Sequence, residues 1–232
     1  MKFRSVFMAL SCAFALAACG GQDGSASVQA GSAAAEVPAG SVKVQTAHGE
    51  AVVPQNPERV AVYDLGAVDT LSKLGVKIGA SVDSQNLAYL DVPLKDAVKA
   101  GTLFEPNYEA LNAYNPQVII IGSRMAKDKV SSELAKLAPT IDMTAQTDNM
   151  KESAKARIDA YGRIFGKQAE ADALKAEIDK TFADAKAAAQ GKGKGLVILV
   201  NAGKLSAFGP DSRLGGWIHR DIGVPPADEA IK

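Results

Sequence analysis

Apolar residues are distributed along this chain in two spacings, one typical of strands and the other of helices. Short aliphatic runs predict strands, and segments with apolar residues three or four positions apart predict helices. The clearest strand is Val118–Ile121, where four consecutive aliphatic residues precede Gly122. A run without polar alternation indicates a strand that is buried on both faces of a parallel sheet. Because strands and helices alternate up to residue 148, we predict an α/β lobe over residues 41–148.

The middle of the chain has a helical pattern. Residues 149–165 carry a stripe of apolar side chains, which predicts a helix that Gly166 ends. Residues 168–189 are rich in Ala, Glu and Lys and predict a second helix, which would be roughly 33 Å long. Its apolar stripe is thin, so we expect this helix to cross between two bodies. Residues 149–190 are therefore predicted to be helical and to include an interlobe helix.

The end of the chain resumes the α/β pattern. Residues 196–200 and 204–208 predict two strands, and residues 212–222 predict a helix. These elements are too few to close a second sheet. We therefore expect residues 191–232 to be the beginning of a second α/β lobe, in a chain that is a truncated form or a fragment.

The amino terminus has the pattern of an export signal. Lys2 and Arg4 form a short basic region, and residues 6–18 are almost wholly apolar. This segment of 13 residues is too short to span a bilayer as a mature helix. A short basic region followed by a short apolar region is typical of a signal peptide that is removed on export. Residues 1–18 are therefore predicted to be a signal peptide.

The segment that follows the signal predicts a lipid anchor. Residues 16–20 read LAACG, which resembles the lipobox of bacterial lipoproteins. The resemblance implies cleavage before Cys19 and a lipid on its thiol, with a second acylation giving the stable anchoring that one chain lacks. An ordinary secretory signal that happens to contain a cysteine is the alternative. Residues 19–40 are mostly Gly, Ser, Ala and Gln, which predicts a flexible tether.

Composition excludes several classes of function. Lysine plus arginine total 26 and aspartate plus glutamate total 26, so no basic field indicates nucleic-acid binding. The cysteines are Cys12, lost with the signal, and Cys19, so the folded part is expected to have no disulfide. We find no nucleophile elbow, no phosphate-binding glycine loop and no cluster of metal ligands. His48, in a predicted hairpin turn, and His219 are isolated, and the sequence does not indicate an enzyme or a bare-metal site.

Several segments, in this order and spacing, resemble a known family. They are RVAVYDLGAVDTL at 59–71, EPNYEAL at 105–111, NPQVII at 115–120, IGSR at 121–124 and SAFGPDSRLG at 206–215. They resemble the substrate-binding proteins of bacterial ABC importers, in the branch that binds ferric siderophores and particularly catecholates such as enterobactin. The resemblance implies an α/β, two-lobed fold with a single long connecting helix. The second lobe would be incomplete here, and ligand binding by this chain would then be weak or absent.

The resemblance also implies the ligand-binding residues. A ferric tris-catecholate is anionic and aromatic, and arginine offers a permanent charge with flat hydrogen-bond donors. Arg124 follows the clearest strand, at the edge where α/β sheets bind ligands. Arg213 follows a Gly-Pro turn at the start of a predicted helix, where backbone amides favour an anion. The resemblance assigns both arginines to one pocket, one from each lobe, and Tyr63 is predicted to line it.

Partners follow from the same resemblance. Glu109 would project from the tip of the first lobe and dock on the ABC permease, whose ATPase drives import. The protein would be a monomer without a cofactor, lipid-anchored in the periplasm or at the cell surface, with a ferric siderophore as its ligand. Another anionic iron chelate, haem and cobalamin are the alternatives. The sequence leaves open which siderophore is bound and which membrane carries the anchor.

Overall fold

Residues 37–231 are described by a computed structural model, and they begin with a β-hairpin. Strand β1 (Ser41–Thr46) pairs antiparallel with strand β2 (Gly49–Pro54). His48 lies in the turn between them, as predicted. The predicted signal peptide and Cys19 lie outside the described residues.

A five-stranded parallel sheet forms the centre of the first lobe. Its strands are β3 (Val60–Val62), β4 (Ala80–Ser81), β5 (Val98–Lys99), β6 (Val118–Ile121) and β7 (Thr140–Asp142). Their order in the sheet is β5-β4-β3-β6-β7, and every neighbouring pair is parallel. The connecting helices are α1 (Leu65–Lys73), α2 (Tyr108–Tyr114) and α3 (Asp128–Ala135), with a 3₁₀ turn at Ala88–Leu90. The α/β class predicted from the sequence is confirmed.

Both faces of β6 are covered, as its unbroken apolar run predicts. Ile120 belongs to a core cluster with residues of α1, the hairpin and α4 (Met150–Phe165). Ile119 and Ile121 point the other way, into a second cluster that includes Leu111 of α2 and Leu134 of α3. The sheet therefore separates two apolar layers.

Local sequence sets most of the helix ends. Asparagine favours the start of a helix, which predicts Asn107 as the cap of α2, and its side chain accepts a hydrogen bond from the Ala110 amide at 3.0 Å, which confirms it. Gly166 ends α4 with a φ of +63°, a conformation that favours glycine. The apolar residues within 76–80 predict a short strand, but the structure has β4 only at Ala80–Ser81. The Val76 amide instead donates to the Leu71 carbonyl at 2.9 Å and completes the end of α1.

The remaining elements are helix α5 (Gln168–Ala189) and the hairpin of β8 (Val197–Asn201) with β9 (Lys204–Phe208). Of the 22 residues of α5 only Ala171 is buried, in keeping with a thin apolar stripe. The helix predicted over residues 212–222 is shorter in the structure, a turn followed by a π-helical segment at Trp217–Asp221. Two successive glycines precede that segment and weaken a regular helix there. Within residues 37–231, no helix has the length and apolar character needed to cross a membrane.

Candidate ligand-binding site

The candidate site lies at the carboxyl-terminal edge of the parallel sheet, between β3 and β6. The chain places β4 and β5 on one side of β3, and then β6 and β7 on the other, so the strand order reverses at this point. Loops that leave two such strands diverge and open a crevice, which is where open α/β sheets bind ligands. A cavity of about 250 Å³ lies in this crevice, lined by residues 63–66, 122–124 and Leu103. We call it the switch-point cavity.

Arg124 presents the cation of the switch-point cavity. Its side chain is exposed, and its Cζ atom lies 5.4 Å from the centroid of the Phe104 ring. This cation–π contact places the guanidinium over the face of the ring. Phe104 is itself 56% exposed, so an aromatic face lies beside the charge. A flat cation next to an aromatic ring suits an anionic aromatic ligand.

Tyr63 contributes to the cavity wall, but its hydroxyl is already engaged. The residue is buried, and its hydroxyl donates to the Ala100 carbonyl at 2.5 Å. Burial raises the pKa of this phenol far above its ordinary value, so the side chain stays neutral. The Tyr63 hydroxyl is therefore a neutral hydrogen-bonded group in the cavity wall. Its predicted role as a lining residue stays a prediction.

Arg213 lies in a turn that follows β9. The Ser212 hydroxyl donates to the Gly209 carbonyl at 2.7 Å and accepts from the Gly215 amide at 2.9 Å, which fixes this turn. Arg213 is exposed and lines a second cavity, of about 410 Å³. That cavity also includes Phe182, Trp217 and Lys151, so it combines aromatic faces with positive charge.

The structure does not bring the two predicted arginines into one cavity. The cavity of Arg124 and the cavity of Arg213 share no lining residue. At each cavity a cation lies over an aromatic ring: Arg124 over Phe104 at the first, and Lys151 over Phe182, 5.3 Å from the ring centroid, in the second. That both arginines contact one ligand stays a prediction.

Glu109 lies where a docking residue must lie, on the surface. It is exposed in the first turn of α2, close behind the capping Asn107. A carboxylate at this end of a helix also interacts favourably with the backbone dipole, which is a local reason for its position. Its docking role stays a prediction.

The two histidines make structural contacts. The His48 ring Nε2 lies 2.9 Å from Asp142 Oδ2, which ties the hairpin turn to the end of β7. His219 is buried, with Nδ1 2.7 Å from the Val224 carbonyl oxygen. Among residues 37–231, no group of three or more metal-ligating side chains could hold a metal ion.

Two residues next to the switch-point cavity, Phe104 and Arg157, were not predicted from the sequence. Phe104 lies in a loop without periodicity, and its contact with Arg124 spans 20 positions. Arg157 of α4 reaches Asp64 in the cavity wall, with Nη2 3.1 Å from Oδ1. A signal for Arg157 was present, because it lies on the same helical stripe as Tyr161 and Ile164, which are buried. A charge on an apolar stripe indicates a buried partner.

A family model described as periplasmic binding protein matches residues 60–232. The chain belongs to this family. The predicted resemblance is confirmed, and so is the prediction that the chain is not an enzyme, because these binding proteins are the non-enzymatic components of transport systems.

Individual relatives of this binding protein cover most of the chain. The petrobactin-binding protein YclQ of Bacillus subtilis is 39% identical over 235 residues, which is 100% of this chain and 72% of YclQ. Its crystal structure matches with a TM-score of 0.76 at 36% identity, over 83% of this chain and 68% of that one. The ferric-anguibactin-binding protein FatB of Vibrio anguillarum is 32% identical over 190 residues, 79% of this chain and 58% of FatB.

A further solved structure is that of a protein named for its class of ligand. The periplasmic catecholate-siderophore binding protein VctP of Vibrio cholerae matches with a TM-score of 0.73 at 27% identity. The match covers 83% of this chain and 69% of VctP. These likenesses confirm the predicted two-lobed binding-protein fold class for the chain.

Proposed function

We propose that this chain is the solute-binding component of an ABC importer and that it captures a ferric siderophore of the catecholate type. The observation that carries the proposal is Arg124, which lies over the Phe104 ring at the point where the strand order reverses. The guanidinium offers charge and donors to catecholate oxygens, and the adjacent ring offers a face to a catechol. The protein captures its ligand without catalysis and passes it to a permease.

The names of the relatives support the proposal. YclQ is named for petrobactin, FatB for ferric anguibactin and VctP for catecholate siderophores. The size of the cavity adds a physical argument. About 250 Å³ is enough for one aromatic ring of a chelate but not for a whole tris-catecholate. The ligand would therefore insert one catechol beside Arg124 and leave the rest outside the switch-point cavity.

A ligand panel tests the proposal. Trp217 is the single tryptophan and is partly exposed, so its fluorescence reports ligands that reach the Arg213 cavity. We expect saturable quenching by ferric enterobactin, with the titration extended to high micromolar concentrations. Ferric citrate, a ferric hydroxamate, haem and cobalamin should bind more weakly. Equilibrium dialysis with radiolabelled iron provides a measurement that does not depend on Trp217.

The panel also decides between the proposal and its alternatives. If haem or cobalamin binds more tightly than ferric enterobactin, that ligand and not a catecholate siderophore is the ligand of the protein. A titration of free tryptophan amide with each coloured ligand corrects for absorbed light. No binding of any chelate would contradict the proposed function.

Docking on the permease gives a separate prediction for Glu109. The Glu109→Lys variant should lose iron uptake in cells while its affinity for ferric enterobactin stays within about two-fold of wild type, because the residue lies outside both cavities. The dipole of α2 opposes a lysine there, at a cost of about 0.3–1 kcal/mol, so folding is checked by circular dichroism. Uptake of radiolabelled iron and dialysis provide the two readouts.

Glu177→Lys is the matched control for that variant. Glu177 is an exposed glutamate of α5, so its replacement makes the same change of charge elsewhere on the surface. We expect normal uptake by the control. Loss of binding by Glu109→Lys, or equal loss of uptake by both variants, would refute a docking role.

We further propose that residues 41–148 form the first lobe, that α5 connects it to a second lobe, and that a lipid on Cys19 anchors the protein outside the cytoplasm. The sequence pattern of residues 16–40 supports the anchor. Mass spectrometry of the amino-terminal peptide from cell membranes tests it. An unmodified Cys19, or a peptide that still contains residues 1–18, would contradict the anchor.

A further inference from the structure

Asp64 is a carboxylate in the wall of the cavity that contains Arg124. It follows β3 and caps α1, where its Oδ1 accepts the Ala67 amide at 2.7 Å. The same oxygen accepts Nη2 of Arg157 at 3.1 Å. Arg157 comes from α4 and lies 93 positions further along the chain. The pair therefore joins the ligand-facing edge of the sheet to a helix that packs on one of its faces.

Asp64 is also wedged against the loop that carries Arg124. A Cβ atom at Gly122 would lie only 2.1 Å from Asp64 Oδ2, so the backbone there must approach the carboxylate closely. Gly122 lies two residues before Arg124, and both line the switch-point cavity with Asp64. The position of this carboxylate is thus determined by α1, by Arg157 and by the ligand loop.

The charges of the cavity wall show what Arg157 contributes. Asp64 and Arg124 are the two charged residues that line the switch-point cavity, so their charges alone would cancel. Arg157 adds a positive charge from behind the wall, and its guanidinium remains protonated even when it is partly buried. Because the positive charge of Arg157 compensates the negative charge of Asp64, the cavity presents the positive charge of Arg124 to an anionic ligand.

The Arg157–Asp64 ion pair is partly shielded from solvent, so its charges contribute to the electrostatics of the switch-point cavity. The Arg157 and Asp64 side chains are 19% and 23% exposed, so solvent screens them less than an ion pair on the open surface. The Nε atom of Arg157 is buried and has no hydrogen-bond partner among the described residues. Loss of this guanidinium would leave the carboxylate of Asp64 without its counter-charge beside an anionic chelate.

We propose that Arg157 is a positioning residue that sets the charge selectivity of the switch-point cavity. Its positive charge compensates the negative charge of Asp64, so the charge of Arg124 remains available to an anionic ligand. The proposal rests on the proposed function. It concerns a residue that contacts no ligand and acts through Asp64.

The test is a double-mutant cycle with ferric enterobactin as the probe, measured by equilibrium dialysis. The Arg157→Gln variant is expected to weaken binding by about ten-fold at low salt, and by less at high salt. Adding Asp64→Asn to Arg157→Gln should restore affinity to within about three-fold of wild type, because the repelling carboxylate is gone and asparagine still caps a helix. Arg157→Lys, which keeps the charge, should bind more tightly than Arg157→Gln.

A merely structural role would give a different pattern. In that case the double variant would bind as weakly as Arg157→Gln or more weakly, and this result would overturn the proposal. Lys175→Gln is the matched control, since Lys175 of α5 also pairs with a carboxylate of α4, Asp159, but lines neither arginine cavity. Thermal unfolding of each variant shows whether a loss of affinity follows a loss of stability.

Failure of the inference can be told from failure of the proposed function. Suppose that wild type binds ferric enterobactin and that Arg124→Ala weakens this binding while Arg157→Gln does not. The proposed role of Arg157 is then wrong, but the proposed binding site at Arg124 is supported. If wild type binds no ferric enterobactin at any salt concentration, the catecholate site and the role of Arg157 are both overturned.

Discussion

Replacing Ile120 by alanine is expected to lower the free energy of unfolding by about 2–5 kcal/mol, and replacing Ile119 should have an effect of similar size. Both side chains are fully buried, and they lie on opposite faces of β6. Each truncation removes buried methylene groups and leaves a cavity that the surrounding side chains fill only in part. A loss of this size is a large fraction of the 5–15 kcal/mol that stabilises a typical domain.

Urea denaturation followed by circular dichroism measures this effect, and the chain offers a matched control. Ile198 is also an isoleucine in a strand, but it is 52% exposed in β8. Ile198→Ala should therefore cost less than about 1 kcal/mol, which is the range of strand propensities. Equal losses in the buried and exposed variants would mean that β6 is not the centre of the core.

An element of the fold could be predicted where the residues of one continuous segment are enough to determine it. The run Val118–Ile121 predicted a strand buried on both faces because each of its side chains is apolar, and the sheet places that strand between two layers. Strands β4 and β5 have only two residues each, too few for any periodicity, and they were not predicted within their bounds. Their positions depend on pairing with β3 and with each other, which is a property of the assembled sheet.

The candidate site could be predicted only in part for the same reason. Arg124 follows a strong strand, so the general rule for parallel sheets places it at the ligand edge. Its contact with Phe104 and the Arg157–Asp64 pair depend on how distant segments pack, which no local pattern encodes. The expectation that Arg124 and Arg213 share one pocket came from the family resemblance, and it stays a prediction, since the two arginines line separate cavities in the residues described.

Replacing Arg124 by alanine is expected to weaken binding of ferric enterobactin by about 10- to 100-fold, or about 1.4–2.7 kcal/mol. The variant loses charge-assisted hydrogen bonds to the ligand and leaves Asp64 as the remaining charge of the cavity wall. Arg124→Lys should fall between alanine and wild type, because lysine keeps the charge but not the flat guanidinium that lies over Phe104. Equilibrium dialysis of all three proteins at one salt concentration provides the comparison.

Arg163→Ala is the control for this series, since Arg163 is an exposed arginine of α4 that lines neither arginine cavity. Its affinity for ferric enterobactin should equal that of wild type. An Arg124→Ala variant that binds as tightly as this control, with the same unfolding midpoint, would remove the switch-point cavity from the proposed site.

The double variant Arg124→Ala, Arg213→Ala tests whether one ligand contacts both arginines. The two cavities have no lining residue in common, so Arg124 and Arg213 share no neighbouring side chain. The effect of one substitution on affinity should therefore not depend on the other substitution through such a neighbour. If the chelate spans both cavities, Arg213→Ala alone should weaken binding, and the two losses should add in free energy. If Arg213→Ala leaves dialysis affinity unchanged, the ligand is held at the switch-point cavity, and the aromatic cavity beside Trp217 takes no part in holding it.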